Sequence, residues 1–452
     1  MKRKFITFII LMLPYLMVAQ NYKIEGTITG SPNRPVFLID YNNGYQHVID
    51  TTQTDESGYF TFTLPDTLKP GMLNIFSPPD LMYELVFNNE NIGFISTGST
   101  KDDKITFTQS EENKIYYDYI YTKVNNLYKI NLLRPLLHQY PFDDPFYYEL
   151  FKQYNKLKAQ IDSVVNANEK LHPGFLAVKF MHSDLPAIPP AGLSENGETQ
   201  WMQQHFLDNV DFSDSTLINS SILSSKSIEY LQYFQIPGKT RKETINSMKP
   251  ALDSLLEKAT LNGKVYGWLM EYLVNGFEQA GYDDLLIYLA DKNAAENICE
   301  DKTRKNVANK LELAKKLAVG ATAPRFTAKD INGNTVDLHK INADKIILVF
   351  WASWCPHCIN EALPKLKKFY DENNGKFEVV AVSVDENIKN VKNAVESNGF
   401  NWITIAEGKG WDGDIPLEYG IISTPTFFVL DKDKKIIAKP KNMKSLENVL
   451  QN

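Results

Sequence analysis

The sequence predicts a multidomain chain with a small N-terminal β-sandwich, a middle all-α region and a C-terminal α/β domain. The chain has 452 residues, which is enough for about three domains of ordinary size. Short segments with alternating apolar residues come first, long segments of helical periodicity follow, and buried strand runs alternate with amphipathic helices at the end. We expect domains at residues 20–110, 111–318 and 319–452.

Residues 1–19 are predicted to be a signal peptide. A basic start at residues 2–4 precedes an apolar run at residues 5–17, and Gln20 is the expected new N-terminus. The run is shorter than the roughly 20 residues that a membrane span needs, and a retained anchor is the alternative. We therefore expect an exported protein of the periplasm or cell envelope, a compartment in which disulfides persist.

Residues 20–110 are predicted to form the β-sandwich. Strand-forming segments separated by turn residues recur along this region, and the alternation is clearest at residues 59–64. We expect antiparallel pairing throughout. No constellation of carboxylates, histidines or glycines gives this region a chemistry of its own.

Residues 111–318 are predicted to be helical. Helices are expected at residues 114–133, 146–171, 244–259, 265–280 and 303–317. Loops rich in proline, glycine and serine separate them, notably at residues 185–198 and 237–238. The many tyrosines of the first two helices are interpreted as core packing rather than as a ligand-binding stripe.

Two cysteines three residues apart give the strongest functional signal in the chain. An unbroken apolar run at residues 346–350 predicts a strand buried on both faces, and apolar residues at helical spacing follow Cys358. Cys355 is therefore expected at a helix N-terminus, where unpaired N–H groups and the helix dipole favour a thiolate. Cys358 is placed to attack a mixed disulfide formed at Cys355. The pattern predicts a redox-active pair with Cys355 as nucleophile and Cys358 as resolving thiol.

The alternative interpretation of the pair is half of a zinc site or two structural thiols. A zinc site needs a second pair of ligands, and the sequence offers only Cys299 and no histidine pair at the required spacing. We therefore expect no metal, and no cofactor beyond a redox-active Cys355–Cys358 disulfide. Cys299 is interpreted as a free thiol without a role, because its acidic neighbours disfavour a thiolate, with a third redox thiol or a crosslinking site as alternatives.

The end of the chain resembles the thioredoxin superfamily, and within it the TlpA/ResA-like thiol–disulfide oxidoreductases. Residues 354–358 read Trp-Cys-Pro-His-Cys, and residues 423–426 read Ser-Thr-Pro-Thr before another apolar run. The opening Gly-Ala-Thr-Ala-Pro-Arg-Phe at residues 320–326, together with Glu361 and Pro364, is similar to this branch. The resemblance covers the last third of the chain and implies a thioredoxin-like fold there. The β region resembles a domain of unknown function that precedes TlpA-like domains in envelope proteins.

The resemblance also implies roles for residues around the cysteines. It implies that Pro425 is a cis proline facing the disulfide and that Thr424 pairs through its backbone with an extended client segment. Where thioredoxin has a buried aspartate this chain has Val349, and Glu361 is expected to take part of that role. The supporting positions are Trp354, Pro356, His357 and Glu361. Of these, His357 is expected to stabilise the thiolate and make the disulfide a better oxidant.

The implied activity is disulfide exchange with exported proteins through residues 355–358. Reduction of clients is expected, and oxidation is the alternative because Pro356 and His357 resemble the corresponding dipeptide of the oxidant DsbA. Expected partners are client proteins with thiols or disulfides and a thiol electron donor or acceptor, which could be membrane-bound. The resemblance places this activity in cell redox homeostasis, including cytochrome c maturation.

Two other classes of protein compete with this interpretation. A binding or scaffold protein with a relic thioredoxin-like domain would have no chemical need for both cysteines and Pro425. A peroxiredoxin needs a Pro-x-x-x-Thr/Ser-x-x-Cys segment, and the sequence lacks one. The formal net charge of −7 argues against nucleic acid as a partner. The sequence therefore favours a thiol–disulfide oxidoreductase over both alternatives.

Overall fold

The computed structural model describes residues 22–42, 45–98, 105–235, 238–292, 294–373 and 375–451. The signal peptide predicted at residues 1–19 and Pro237 of a predicted loop lie outside these residues. By its internal packing the chain divides into two compact units, one up to Trp268 and one from Leu269 onward. This division follows packing, and the predicted domain boundaries at residues 110 and 318 stay predictions.

The first unit begins with two β-sheets. Its strands are β1 (Lys23–Ile28), β2 (Pro35–Asn42), β3 (Tyr45–Gln53), β4 (Tyr59–Thr63), β5 (Gly71–Ser77), β6 (Leu81–Phe87), β7 (Ile92–Ser96) and β8 (Thr106–Gln109). In the described residues each sheet has four strands, in the orders β4-β1-β7-β8 and β3-β2-β5-β6. Phe62 and Phe94 of one sheet share an apolar core with Leu38 and Leu85 of the other. The predicted β-sandwich is confirmed.

One strand pair departs from the antiparallel pairing that we expected. Strands β1 and β7 run parallel, with Ile24 opposite Ile92 and Ile28 opposite Ser96. Between them the chain passes through the strands of the second sheet, so no hairpin joins the two and a parallel arrangement is free to form. The expectation of antiparallel pairing throughout is wrong at this pair.

The middle region is helical, as predicted. Its helices are α1 (Glu111–Gln139), α2 (Pro145–Leu171), α3 (Leu176–Asp184), α4 (Glu195–His205), α5 (Ile222–Gln232), α6 (Arg241–Ala259), α7 (Gly263–Ala280), α8 (Asp283–Asp291) and α9 (Asp301–Lys316). The side chains of Ser110, Asp144 and Thr240 accept backbone N–H groups at the starts of α1, α2 and α6, which explains where these helices begin. Among the described residues, no helix has the length and apolar character needed to cross a membrane.

The second unit contains α8, α9 and the α/β domain. The elements of that domain are β9 (Thr327–Lys329), β10 (Thr335–Asp337), β11 (Lys345–Trp351), α10 (Leu363–Glu372), β12 (Glu378–Ser383), α11 (Ile388–Asn398), β13 (Ile403–Ala406), α12 (Asp414–Glu418), β14 (Thr426–Asp431), β15 (Ile436–Ala438) and α13 (Met443–Gln451). The described strands form a sheet in the order β13-β12-β11-β14-β15 and a separate β9–β10 hairpin. This is the predicted α/β domain with a thioredoxin-like fold.

Strand β11 is the centre of the five-stranded sheet and directs the chain to the site. After Lys345 every residue of β11 is buried, as the unbroken apolar run predicted. It runs parallel to β12 and antiparallel to β14. The carboxyl ends of β11 and β12 therefore meet at one edge, and the N-terminal end of β14 lies at the same edge.

Candidate active site

Cys355 lies where the chain leaves β11 and a helix begins. The helical backbone starts at Pro356, and the Ile359 N–H donates to the Cys355 carbonyl oxygen at 3.1 Å. The Cys355 sulfur accepts the backbone N–H of Cys358 at 3.2 Å. Both cysteines are free thiols, and Cys355 is 6% exposed whereas Cys358 is fully buried. Cys355 thus occupies the helix N-terminal position that the sequence spacing predicts.

The surroundings of the two sulfurs move their pKa values in opposite directions. Burial raises the pKa of Cys355, but hydrogen bonds with the Cys358 thiol, with the Thr424 side chain and with the amides of Cys358 and His357 outweigh it and hold this pKa below its ordinary value. Burial, together with the hydrogen bond to Cys355, raises the pKa of Cys358 to about 12. The thiolate therefore forms first at Cys355, while Cys358 keeps its proton.

The loop before β14 brings a backbone carbonyl to Cys355. The Thr424–Pro425 peptide bond is cis, so the prediction for this bond is confirmed. The Cys355 thiol donates to the Thr424 carbonyl oxygen across 3.6 Å. Thr424 thus contacts the Cys355 sulfur although the two residues are 69 positions apart in the chain.

His357 and Glu361 lie on the exposed face of the helix. Nδ1 of His357 is 2.8 Å from one carboxylate oxygen of Glu361, and Nζ of Lys365 is 2.8 Å from the other. The Lys365 hydrogen bond and charge, with the charge of His357, hold the pKa of Glu361 below its ordinary value. The Glu361 side chain is half exposed. A carboxylate that replaced the buried aspartate of thioredoxin would lie beneath the cysteines, so Glu361 does not occupy that place.

A buried carboxylate that we did not predict lies beside the active-site loop. Asp385 is 1% exposed and follows the carboxyl end of β12. Its oxygens accept the backbone N–H of Ser353 at 2.8 Å, the Ser353 hydroxyl at 2.5 Å and the Ser383 hydroxyl at 2.7 Å. It therefore ties down the backbone two residues before Cys355. An acidic residue directly after a parallel strand was the sequence signal that could have found it.

Two tryptophans form an exposed apolar surface beside the cysteines. Trp354 is 56% exposed and Trp411 is 38% exposed, and their ring centroids are 6.1 Å apart in an edge-to-face arrangement. Trp354 was a predicted site residue and Trp411 was not, because the two are 57 positions apart and the Gly-Trp-Asp turn around Trp411 carries no motif. Exposed aromatic pairs of this kind are suited to contact with a protein partner.

Cys358 begins a widened helical turn, Cys358–Ala362, that precedes α10. The Leu363 N–H donates to the Cys358 carbonyl oxygen, one residue further than in an α-helix. Pro364 follows at once, and a proline offers no N–H and its ring crowds the carbonyl four residues earlier. The widened turn absorbs this irregularity, so the single regular helix that the spacing suggested is interrupted one turn after Cys355.

The remaining predictions concern Cys299 and metal binding. Cys299 is an exposed free thiol next to the start of α9. Within the described ranges, no three or more His, Cys, Asp or Glu side chains are grouped so that they could hold a metal ion.

Comparisons with known proteins agree with this geometry. Residues 318–448 match the Redoxin family model, and residues 22–116 match the model for a domain of unknown function, DUF4369. The thiol-disulfide oxidoreductase ResA of Bacillus thuringiensis subsp. konkukian is 33% identical over 135 residues, which are 30% of this chain and 76% of ResA.

Two solved structures are similar to parts of the chain. A domain of a possible thiol-disulfide isomerase from Cytophaga hutchinsonii is 31% identical, with a TM-score of 0.28, over 30% of this chain and 92% of that one. A thioredoxin-like protein from Bacteroides caccae is 20% identical, with a TM-score of 0.45, over 59% of this chain and 96% of that one.

The chain is therefore an enzyme of the thiol–disulfide oxidoreductase class with a thioredoxin-like domain. Through that domain it belongs to the ResA-like thiol–disulfide oxidoreductase family, and its N-terminal β region is a DUF4369 domain.

Proposed function

We propose that the chain exchanges disulfides with client proteins through Cys355 and Cys358. The observation that carries the proposal is the difference in pKa between the two thiols. Cys355 has a lowered pKa and accepts the Cys358 N–H at 3.2 Å, whereas the pKa of Cys358 is raised to about 12. Thiol–disulfide exchange needs one thiol that is readily ionised and a second that attacks later.

In the proposed reaction the Cys355 thiolate attacks one sulfur of a client disulfide. A bond forms between the Cys355 sulfur and that client sulfur, the client S–S bond breaks, and the other client sulfur leaves as a thiolate that takes a proton. Cys358 then loses its proton and attacks the Cys355 sulfur, which releases the second client thiol. The client gains two electrons and the enzyme is left with a Cys355–Cys358 disulfide. A thiol donor must reduce that disulfide before the next cycle.

Client binding is proposed at the surface that surrounds Cys355. The Thr424 carbonyl oxygen lies 3.6 Å from the Cys355 sulfur, so an extended client segment that reaches this sulfur also reaches that backbone. Trp354 and Trp411 offer exposed apolar contact area on the same domain. We propose Trp354, Thr424 and Pro425 as client-contacting residues.

Reduction of clients is the proposed direction, as in the implied family activity, and oxidation of client dithiols is the second candidate. The lowered pKa of Cys355 favours the second candidate, because a stabilised thiolate makes the dithiol form more stable and the disulfide a stronger oxidant. His357 is proposed to contribute through its backbone amide, which lowers the Cys355 pKa, while its ring is 2.8 Å from Glu361.

Measurement of the reduction potential of the Cys355–Cys358 pair distinguishes the contribution of the His357 amide from that of the His357 ring. His357→Gln keeps the amide N–H and is expected to change the potential of the pair by less than about 10 mV, whereas His357→Pro removes that N–H and is expected to move it negative by roughly tens of millivolts. Equilibration with glutathione buffers measures both. Equal shifts in the two variants would assign the effect to the ring instead of the amide.

Turnover of a protein disulfide tests the proposal itself. The full chain with dithiothreitol as donor is expected to reduce the disulfide, Cys355→Ser is expected to abolish this activity, and Cys299→Ser is the matched control because Cys299 is an exposed thiol outside the site. Full activity in Cys355→Ser would show that Cys355 is not the nucleophile.

We also propose that the chain is exported to the periplasm or cell envelope and acts on exported clients there. The basic and apolar pattern of residues 1–19 supports this proposal. N-terminal sequencing of the protein from an envelope fraction is expected to begin at Gln20. A mature protein that retains residues 1–19 in the cytoplasm would rule out this location.

A further inference from the structure

A cleft of about 620 Å³ opens beside the loop that carries Thr424 and Pro425. One wall consists of residues of the α/β domain, among them Ser423, Pro425 and Phe428. The other wall is helical and comes from the end of α7, from α8 and from α9. All of these lining residues belong to the second unit. The cleft is thus formed by the α/β domain and the helices that precede it in sequence.

Specific contacts hold the helical wall against the α/β domain. Lys439 Nζ is 2.6 Å from a carboxylate oxygen of Asp283, and Lys316 pairs with Glu418. Leu313 of α9 lies against Gly420 so closely that a Cβ atom at Gly420 would be 2.3 Å from the Leu313 Cδ2 atom. The wall therefore contacts the loop a few residues before Thr424 and is a fixed part of the surface near the thiols.

We propose that this cleft binds the client polypeptide segment that flanks the client cysteine, which rests on the proposed function of Cys355 and Cys358. The Thr424 carbonyl oxygen is 3.6 Å from the Cys355 sulfur, and the neighbours Ser423 and Pro425 line the cleft. A client held at Cys355 therefore has its backbone within a residue or two of the cleft. The chain then continues into the cleft as an extended segment.

The chemistry of the cleft favours an uncharged, partly apolar segment. Phe428, Leu286 and Leu317 line it as buried apolar side chains, and Ile422 is 64% exposed at its edge. Four of the five charged groups that line it form two ion pairs, since Lys310 Nζ is 2.6 Å from Glu278 and Lys439 binds Asp283. The fifth, Lys441, donates to the Ala280 carbonyl oxygen. A charged small ligand would have to compete with these pairs. The volume suits a few peptide residues, since pockets of about 300–1,000 Å³ enclose ligands of that size.

The test compares disulfide-linked peptides that differ only in length. The short peptide has one neutral residue on each side of its cysteine, and the long peptide has about six, which is about 20 Å of extended chain per arm. The full chain with dithiothreitol as donor is expected to show a kcat/KM about tenfold higher for the long peptide. Equal kcat/KM values for both peptides would overturn the cleft proposal.

Two substitutions in the cleft and one outside it make the test specific. Gln279 is an exposed position of α7 that lines the cleft, so Gln279→Trp is expected to fill part of it and to remove the preference for the long peptide. Ile422→Asn, at another exposed position, is expected to reduce the preference. Asn306→Trp adds the same side chain to an exposed position of α9 that does not line the cleft, and is expected to keep the preference.

Each outcome bears on one proposal or on both. Loss of the preference in Gln279→Trp but not in Asn306→Trp supports the cleft as the client site. Retention of the preference in both Gln279→Trp and Ile422→Asn, or its equal loss in Asn306→Trp, overturns it. If the full chain reduces neither peptide, the proposed function fails as well, whereas reduction of both at equal rates overturns the cleft alone.

Discussion

Cys355 and Cys358 belong to one helical turn, yet their surroundings prepare them for different steps. Cys355 faces the edge of the sheet, where backbone N–H groups reach its sulfur, and its pKa is lowered. Cys358 is fully buried and its pKa is raised to about 12. Because a negative charge is costly to bury without donors, the thiolate forms more readily at Cys355 than at Cys358.

The pH dependence of alkylation follows from this difference. Only the thiolate reacts with iodoacetamide, so the rate at Cys355 is expected to rise with pH and to level off at a lower pH than in a short cysteine peptide. Cys358 is expected to stay unmodified in the folded chain until well into the alkaline range. Mass spectrometry of each site over a pH series measures both rates, and a Cys355 profile that coincides with the peptide profile would contradict this account.

Asp385 holds the loop that presents Cys355. Asp385→Ala leaves the partly buried Ser353 N–H and hydroxyl without their acceptor, so we expect the free energy of unfolding to fall by about 1–3 kcal/mol. Ser353→Ala is expected to cost less, and the double variant less than the sum, with a coupling of about 1 kcal/mol in urea unfolding. Additive effects would mean that the two residues do not act through each other.

At the scale of elements, the position of the site follows from strand β11 and the helix after it. The buried run at residues 346–350 and the helical spacing after Cys358 were sufficient to predict both elements and the place of Cys355 between them. The widened turn Cys358–Ala362 could not be predicted from Pro364. A proline at that place is also common in the first turn of a regular helix. Trp411 was missed because tertiary packing, not sequence spacing, brings it to the site. Asp385 was missed although its place after a predicted parallel strand was a usable signal.

The contact between α9 and the loop before Pro425 can be tested through Gly420. Gly420→Ala places a methyl group 2.3 Å from Leu313 at a residue with a φ of +57°. Gly399→Ala is the matched control, since its φ is +66° and nothing lies within 4 Å of the added atom. We expect Gly420→Ala to be less stable than the control by about 1 kcal/mol in urea unfolding.

Leu313→Ala completes that comparison. Because it removes the atoms that the new methyl group would meet, it is expected to cancel the difference between Gly420→Ala and Gly399→Ala when both are made in that background. If the difference persists, the close contact with α9 is not its cause and the helical wall of the cleft is less tightly held than we infer.

At the scale of the whole molecule, the order of β-sandwich, helical region and thioredoxin-like domain could be predicted because each part has its own hydrophobic period. Strand β3 was missed because Tyr45–Gln53 is polar and mostly exposed along its described length, so it lacks the apolar alternation of a half-buried strand. The short helices α3, α4, α5 and α8 were missed because each spans only about three turns or fewer, and α4 begins inside the loop predicted at residues 185–198. The cleft formed by α7, α8 and α9 with the α/β domain depends on packing that no single segment encodes.

Trapping of a mixed disulfide shows which cysteine attacks the client. With Cys358→Ser no resolving thiol is present, so a client peptide with a disulfide is expected to remain bonded to Cys355, and mass spectrometry of the digested full chain identifies the bonded cysteine. We expect an adduct at Cys355 that forms with the alkylation pH profile of that residue and is absent from the Cys355→Ser variant. An adduct found at Cys299 instead, or none at Cys355, would contradict the assignment of Cys355 as the nucleophile.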